Sequence, residues 1–214
     1  MKQHKFLKIT ISLILLVVLI TAASIFLSYN VLKVRTFSYE TDKAVDPVRA
    51  VVISDLHEHE FGKDNVKLVE KIREQEPDII LMVGDFVNQD STESTVAAPE
   101  DVKNFLMDFQ DTDRLKIMMA HRPDSFIFGD AASVWDVDLV VSGHDHGGQV
   151  VVPFAGGVFG GDQGYFPKYV HGMYEKERLH LFVSSGLGSA NEPLPRVNNL
   201  PEVAVVEIEK STQT

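Results

Sequence analysis

Two histidines flank an aspartate in SGHDHGGQ, residues 142–149. His144, Asp145 and His146 stand at the end of an apolar run, just ahead of Gly147 and Gly148. Three other stretches carry the same kinds of group in the same setting. They are Asp55 and His57 in SDLH, Asp85 after Gly84, and His121 in AHRPD. Carboxylate oxygen and neutral imidazole together suit Mn, Fe or Zn. A pair of divalent cations held close together needs terminal and bridging donors, and a carboxylate can bridge with its two oxygens. Such a pair binds a phosphate oxygen, lowers the pKa of a bridging water and supports in-line attack at phosphorus. The 214 residues include no cysteine, so thiolate ligation and disulfides are excluded.

Each of these groups follows a predicted strand. Val48–Ser54 (VRAVVIS) is a β-branched apolar run that reads as a buried strand. Lys63–Gln75 has Val66, Leu68, Val69 and Ile72 at helical spacing and is closed by Pro77. Asp78–Val83 reads as a second buried strand, and the Ser- and Thr-rich residues 88–99 as a loop. Glu100–Phe109 is an expected helix, Leu115–Ala120 a strand, Pro123–Phe128 the start of a helix, and Val137–Ser142 a strand. This alternation predicts a mostly parallel sheet covered by helices. The carboxyl ends of its strands would share one edge, where ligands bind. Beyond Gly143, short apolar runs at 150–152, 179–184 and 203–208 are separated by Gly, Pro and Asn clusters, which fits strands of a second sheet. The expected architecture is an α/β sandwich.

The motifs D-x-H (Asp55, His57), G-D (Gly84, Asp85), a lone His121 after a strand, and G-H-x-H (Gly143, His144, His146) occur in an order that resembles the calcineurin-like metallophosphoesterases. SDLH with FGK at 61–63, AHRPD, SGHDHGGQ, DQGYFPKY at 162–169 and SSGLG at 184–188 resemble the membrane-anchored bacterial phosphodiesterases of the YkuE/YaeI type. The resemblance implies a calcineurin-like sandwich of β-sheets flanked by helices, and a phosphodiesterase or phosphatase that works through a hydroxide bridging two ions. It places Asp55, His57 and His146 on the first ion, Asp85 as the bridge, and His121 and His144 on the second. Manganese is the expected metal, with iron or zinc as alternatives. Gly147 and Gly148 would let the loop pass close to the ions, where a Cβ would intrude. The family's G-N-H-[DE] motif does not occur between Asp85 and His121, so the domain reads as shortened between 86 and 114. That motif supplies an asparagine ligand and the histidine acid, leaving Asn88 as a weak substitute ligand and His59 as a weak candidate near the leaving group. Loss of turnover, with metal binding retained, is the rival reading. Asp145 is expected to lie behind the ligands or in solvent, and Lys168 and Arg196 at the surface.

Ile9–Leu27 is uncharged and apolar, and as a helix its nineteen residues reach about 28 Å, the thickness of a bilayer core. It reads as an uncleaved membrane anchor. The alternative is a cleaved signal, with Lys2, Lys5 and Lys8 as its basic flank and Thr21-Ala22-Ala23 as the cleavage site. Either reading puts the body outside the cytoplasm. Residues 1–29 are then the anchor, 30–47 a tether and 48–214 the metallophosphoesterase domain. The first 35 residues hold five basic groups and no acid, so against a net charge of −11 the remainder carries −16. So acidic a body repels nucleic-acid phosphates. The expected partners are the lipid bilayer and a phosphoester substrate, a cell-envelope or lipid-linked one by location.

Overall fold

In strand β2 (Val48–Ile53) the side chains alternate across the strand, Ala50 and Val52 to one face, Val51 and Ile53 to the other, and all four are buried. A strand covered on both faces must lie inside a layered structure, and β2 does. The computed structural model describes residues 2–86, 109–176, 178–189, 192 and 194–211. Asn88, the expected loop 88–99 and nearly all of the expected helix Glu100–Phe109 lie outside the described residues.

Two four-stranded sheets face each other. The first has β1 (Lys33–Thr41), β10 (Glu202–Lys210), β2 and β3 (Ile79–Met82) in that spatial order. The second has β4 (Ile117–Met119), β5 (Leu139–Ser142), β9 (Leu179–Val183) and β8 (Gly172–Lys176). Pairing is parallel for β1·β10, β2·β3, β4·β5 and β5·β9, and antiparallel for β10·β2 and β8·β9. Between the sheets lies one cluster, with Ala50, Val52, Ala204 and Val206 from one side and Leu139, Val141 and Phe182 from the other. The outer face of the first sheet (Val51, Ile53, Val203, Val205) packs on Leu68 and Ile72 of helix α2 (Val66–Arg73). Each such side chain, fully buried, contributes about 1.5–3 kcal/mol. The outer face of the second sheet (Val140, Leu181, Val183) is covered by Phe126 and Ile127 of helix α3 (Asp124–Ile127), with helix α4 (Ala131–Val134) following.

Three expectations are corrected here. The four strands of the first half do not share one parallel sheet. β2 and β3 belong to one layer, β4 and β5 to the other, because β10 and β9, from the chain's last third, supply their inner neighbours. Asp78–Val83 is not a buried strand. Its core, β3, is the edge strand of its sheet among the described residues, with Ile79, Ile80 and Met82 about half exposed. Residues 30–47 are not simply a tether, since β1 runs in parallel register with β10 from Lys33↔Glu202 to Thr41↔Lys210.

Ahead of β1 stands helix α1 (Lys2–Asn30), long and apolar enough to cross a membrane, and no part of its apolar window is buried by the rest of the chain. The same composition also fits a signal sequence.

Candidate metal centre

The site lies on the seam between the two sheets, at the carboxyl ends of β2, β3, β4 and β5. Asp55 and His57 follow β2, Asp85 follows β3, His121 follows β4, and His144 and His146 follow β5. Five of these six residues have left-handed backbone: Asp55 (φ 52), His57 (47), Asp85 (55), His144 (74) and His146 (46). In side chains with a Cβ this conformation is uncommon and costs about 1–3 kcal/mol each, and it gathers where function requires it. Backbone hydrogen bonds hold the turns. Asp55 N donates to Gly84 O at 3.0 Å and His57 N to Asp85 O at 3.0 Å.

The six donors fall into two trios. Asp55, His57 and His146 form one, buried throughout, with ligand atoms within 4.8 Å of one another. Asp85, His121 and His144 form the other and are partly exposed. Asp85 stands between the trios, its Oδ2 lying 3.2 Å from His121 Nε2 and 3.7 Å from His57 Nε2. Asp55 ties the sheets together, its Oδ1 accepting the His144 backbone N–H at 3.0 Å. His144 Nε2 also faces Asp162 Oδ2 at 3.3 Å, and Asp124, His144 and Asp162 make a third group within 4.8 Å.

Two imidazoles have their tautomer set by a carbonyl. His121 Nδ1 lies 2.8 Å from Val83 O, and His146 Nδ1 lies 3.0 Å from Gly188 O. A carbonyl only accepts, so each Nδ1 carries the proton and each Nε2 turns its lone pair to the site. The donor set therefore fits divalent metal ions: imidazole nitrogen and carboxylate oxygen, oriented from behind. Burial, followed by the neighbouring His121 and Arg122, lowers the pKa of His144 and favours the neutral, metal-binding form.

The glycines have a different role from the one expected. A Cβ on Gly148 would fall 2.4 Å from Gly157 Cα, and one on Gly147 2.8 Å from Ser185 Cβ, so these two permit packing against the neighbouring loops. A Cβ would crowd a ligand most closely at Gly143 and Gly186, at 2.5 and 2.8 Å from Asp55 Oδ2, and also at Gly84 and Gly161, each 3.1 Å from a nitrogen of His121 and His144 respectively.

Other residues also lie where the sequence did not place them. His59 belongs to neither trio, and its Nε2 lies 2.8 Å from Tyr29 O at the end of α1. Asp145 is 1 % exposed and takes a hydrogen bond from Gln163 Nε2 at 2.8 Å; burial raises its pKa to about 7. Arg196, expected at the surface, is fully buried, and its Nε and Nη2 donate to Gly188 O at 3.2 and 3.0 Å. Burial lowers its pKa to about 10. Lys168 is exposed beside the Tyr169 ring. Sequence reasoning missed Glu192, whose Oε1 is 3.3 Å from His146 Nε2. Burial pushes its carboxyl pKa up, but the neighbouring imidazoles of His146, His57 and His144 outweigh this and lower it. It also missed Asp162, which pairs with Arg122 as well as facing His144. No motif marked Glu192; Asp162 opens the DQGY stretch, which had no assigned role.

Residues 48–111 match the calcineurin-like phosphoesterase family. The chain is 33 % identical over 129 residues to the uncharacterized metallophosphoesterase YkuE of Bacillus subtilis (strain 168), covering 58 % of this chain and 43 % of that protein. It is 34 % identical over 94 residues to the phosphodiesterase YaeI of Escherichia coli (strain K12), covering 44 % of this chain and 32 % of that one. With the uncharacterized metallophosphoesterase Cj0846 of Campylobacter jejuni it shares 24 % identity over 255 residues, 83 % of this chain and 64 % of the relative. Each match takes in less than two thirds of the relative's length. No solved structure matches the chain.

Proposed function

We propose that this chain is a metal-dependent phosphoester hydrolase that holds two divalent ions, one on Asp55, His57 and His146 and one on His121 and His144, with Asp85 between them. The position of Asp85 Oδ2, close to a histidine of each trio, carries the reading. Bound there, divalent ions would acidify a water and neutralise charge on a phosphoryl group. The chain's own residues do the rest. Val83 O and Gly188 O hold two imidazoles in the binding tautomer. Burial keeps water from the inner trio, while the exposure of Asp85, His121 and His144 opens the site to substrate on their side.

Manganese is the preferred ion, with iron and zinc as alternatives, and a phosphodiester of the cell envelope the preferred substrate. α1 would hold the domain on the extracytoplasmic face of the membrane. Hydrolysis of bis-(p-nitrophenyl) phosphate with Mn²⁺ tests the activity. Turnover by the native chain that is lost in Asp85→Ala supports it; equal rates in the two overturn it.

Metal binding without turnover is favoured by one observation. His59 is held against α1, and among the described residues no histidine outside the two trios reaches the site. Two ions bound per chain, with no Asp85-dependent hydrolysis, would decide for that reading.

A further inference from the structure

Helix α1 is fastened to the folded body over its last two turns. Asn198 N donates to Ser24 Oγ at 2.6 Å, Asn199 N to Ser28 Oγ at 3.4 Å, and Ser189 Oγ to Tyr29 Oη at 3.3 Å. Ser28 is fully buried. These contacts fix a depth. Ser24 lies three residues inside the apolar run that ends at Leu27, and Ile20 seven, so about 4.5 Å and about 10 Å along the helix. A groove of about 810 Å³ runs at this level, with Ile20, Ser24 and Leu27 of α1 on one side and Val151, Val152 and Pro153 on the other. Val151 and Val152 form strand β6 of a hairpin with β7 (Gly156–Gly157), and Phe154 at its tip is wholly exposed. The groove's charged residues are Lys33 and Arg35, with no carboxylate, in a chain whose net charge is −11. Arg35 is paired with Glu202; Lys33 is exposed.

We propose that this face is a second membrane contact: the β6–β7 tip enters the headgroup–acyl boundary beside α1, and a phospholipid of that bilayer fills the groove with its phosphate toward Lys33. A helix crossing the membrane leaves the body no other placement. If Ile20 and Ser24 are in the hydrocarbon, the residues packed beside them lie in the boundary too. Exposed apolar side chains there are covered by lipid, and cations meet anionic headgroups. The contact reaches the candidate metal centre. Asn199, bonded to Ser28, also donates through Nδ2 to His146 O at 2.6 Å. The same surface would hold the site beside the headgroups whether or not the site turns over.

The test uses the full chain in vesicles of phosphatidylglycerol and phosphatidylethanolamine whose acyl chains are brominated near the headgroup. Trp135 is the only tryptophan, so Trp135→Phe provides a silent background. On it, Phe154→Trp reports the hairpin tip and Phe26→Trp reports α1. Val45→Trp reports the loop beyond the far end of β1, about 30 Å away along a nine-residue strand. Brominated lipid is expected to lower the emission of Phe154→Trp and Phe26→Trp about twofold, as for a side chain about 5–10 Å into the boundary, and to leave Val45→Trp unchanged. Quenching of Phe26→Trp without Phe154→Trp overturns the second contact. So does the absence of quenching in both, because the helix is then outside the bilayer.

Discussion

His121 and Val83 are joined across the seam between the two sheets. The imidazole Nδ1, beyond β4, donates to the carbonyl oxygen at the end of β3 at 2.8 Å. The bond leaves Nε2 facing Asp85 Oδ2 at 3.2 Å, so a backbone carbonyl of one sheet aims a ligand of the other. The site thus depends on how the two layers are docked.

Asp85→Ala removes the carboxylate that stands between the trios. Bound metal is expected to fall from two ions per chain toward one, with at least about 100-fold loss of any phosphodiesterase activity. Metal analysis of the purified chain, set beside the rate on bis-(p-nitrophenyl) phosphate, checks both effects. Two retained ions would mean that Asp85 is no ligand.

Asp162→Ala should weaken the outer ion selectively. Asp162 faces His144 but is remote from the buried trio's defining contacts, so Mn²⁺ titration is expected to keep one tight site while the other weakens about 10-fold. Unchanged affinity at both sites would leave Asp162 as no more than a partner of Arg122.

Arg196→Met strips the Gly188 carbonyl of its guanidinium partner inside a fully buried region. Gly188 O keeps the His146 Nδ1–H, but Ser185 O loses the Arg196 Nη2 donor, and this should cost about 1–3 kcal/mol of stability, read as a lower denaturant midpoint in detergent. Since Gly188 O also holds His146, a matching loss of Mn²⁺ affinity at the inner site is expected.

Glu202 supplies a pH dependence away from the metal ligands. Burial raises its pKa, but the hydrogen bond and charge of His171, with the charge of Arg35, outweigh this and hold it below the usual glutamate value of 4.5. The folded chain then binds fewer protons than the unfolded chain near that pH, so stability rises with pH there. The contribution is complete above about pH 4.5 and is lost as pH falls through the depressed folded value. Thermal melts of the native chain and Glu202→Gln should differ most near neutrality and converge in acid. A gap that widens in acid would reverse the sign.

The six donors and their strand ends were legible in the sequence because both signals are local. Ligand type is a property of the side chain, and the nearly continuous apolar run in VRAVVIS marks a strand buried on both faces. The same locality explains α2 and the β-rich texture after Gly143. What escaped was non-local. Nothing in residues 33–41 announces a partner at 202–210, so β1 read as a tether, and the division of four strands between two sheets followed from where β9 and β10 insert. The carbonyls of Val83 and Gly188 that fix two histidine tautomers are groups every residue has, so no sequence pattern could reveal them. Whether Arg196 is buried, whether His59 faces α1 and whether Glu192 reaches His146 are likewise decided by chain closure. The sequence by itself determined which atoms could bind metal and roughly where each strand would end. The tertiary structure decided which of them meet, because orientation at the seam depends on contacts between segments far apart in the chain.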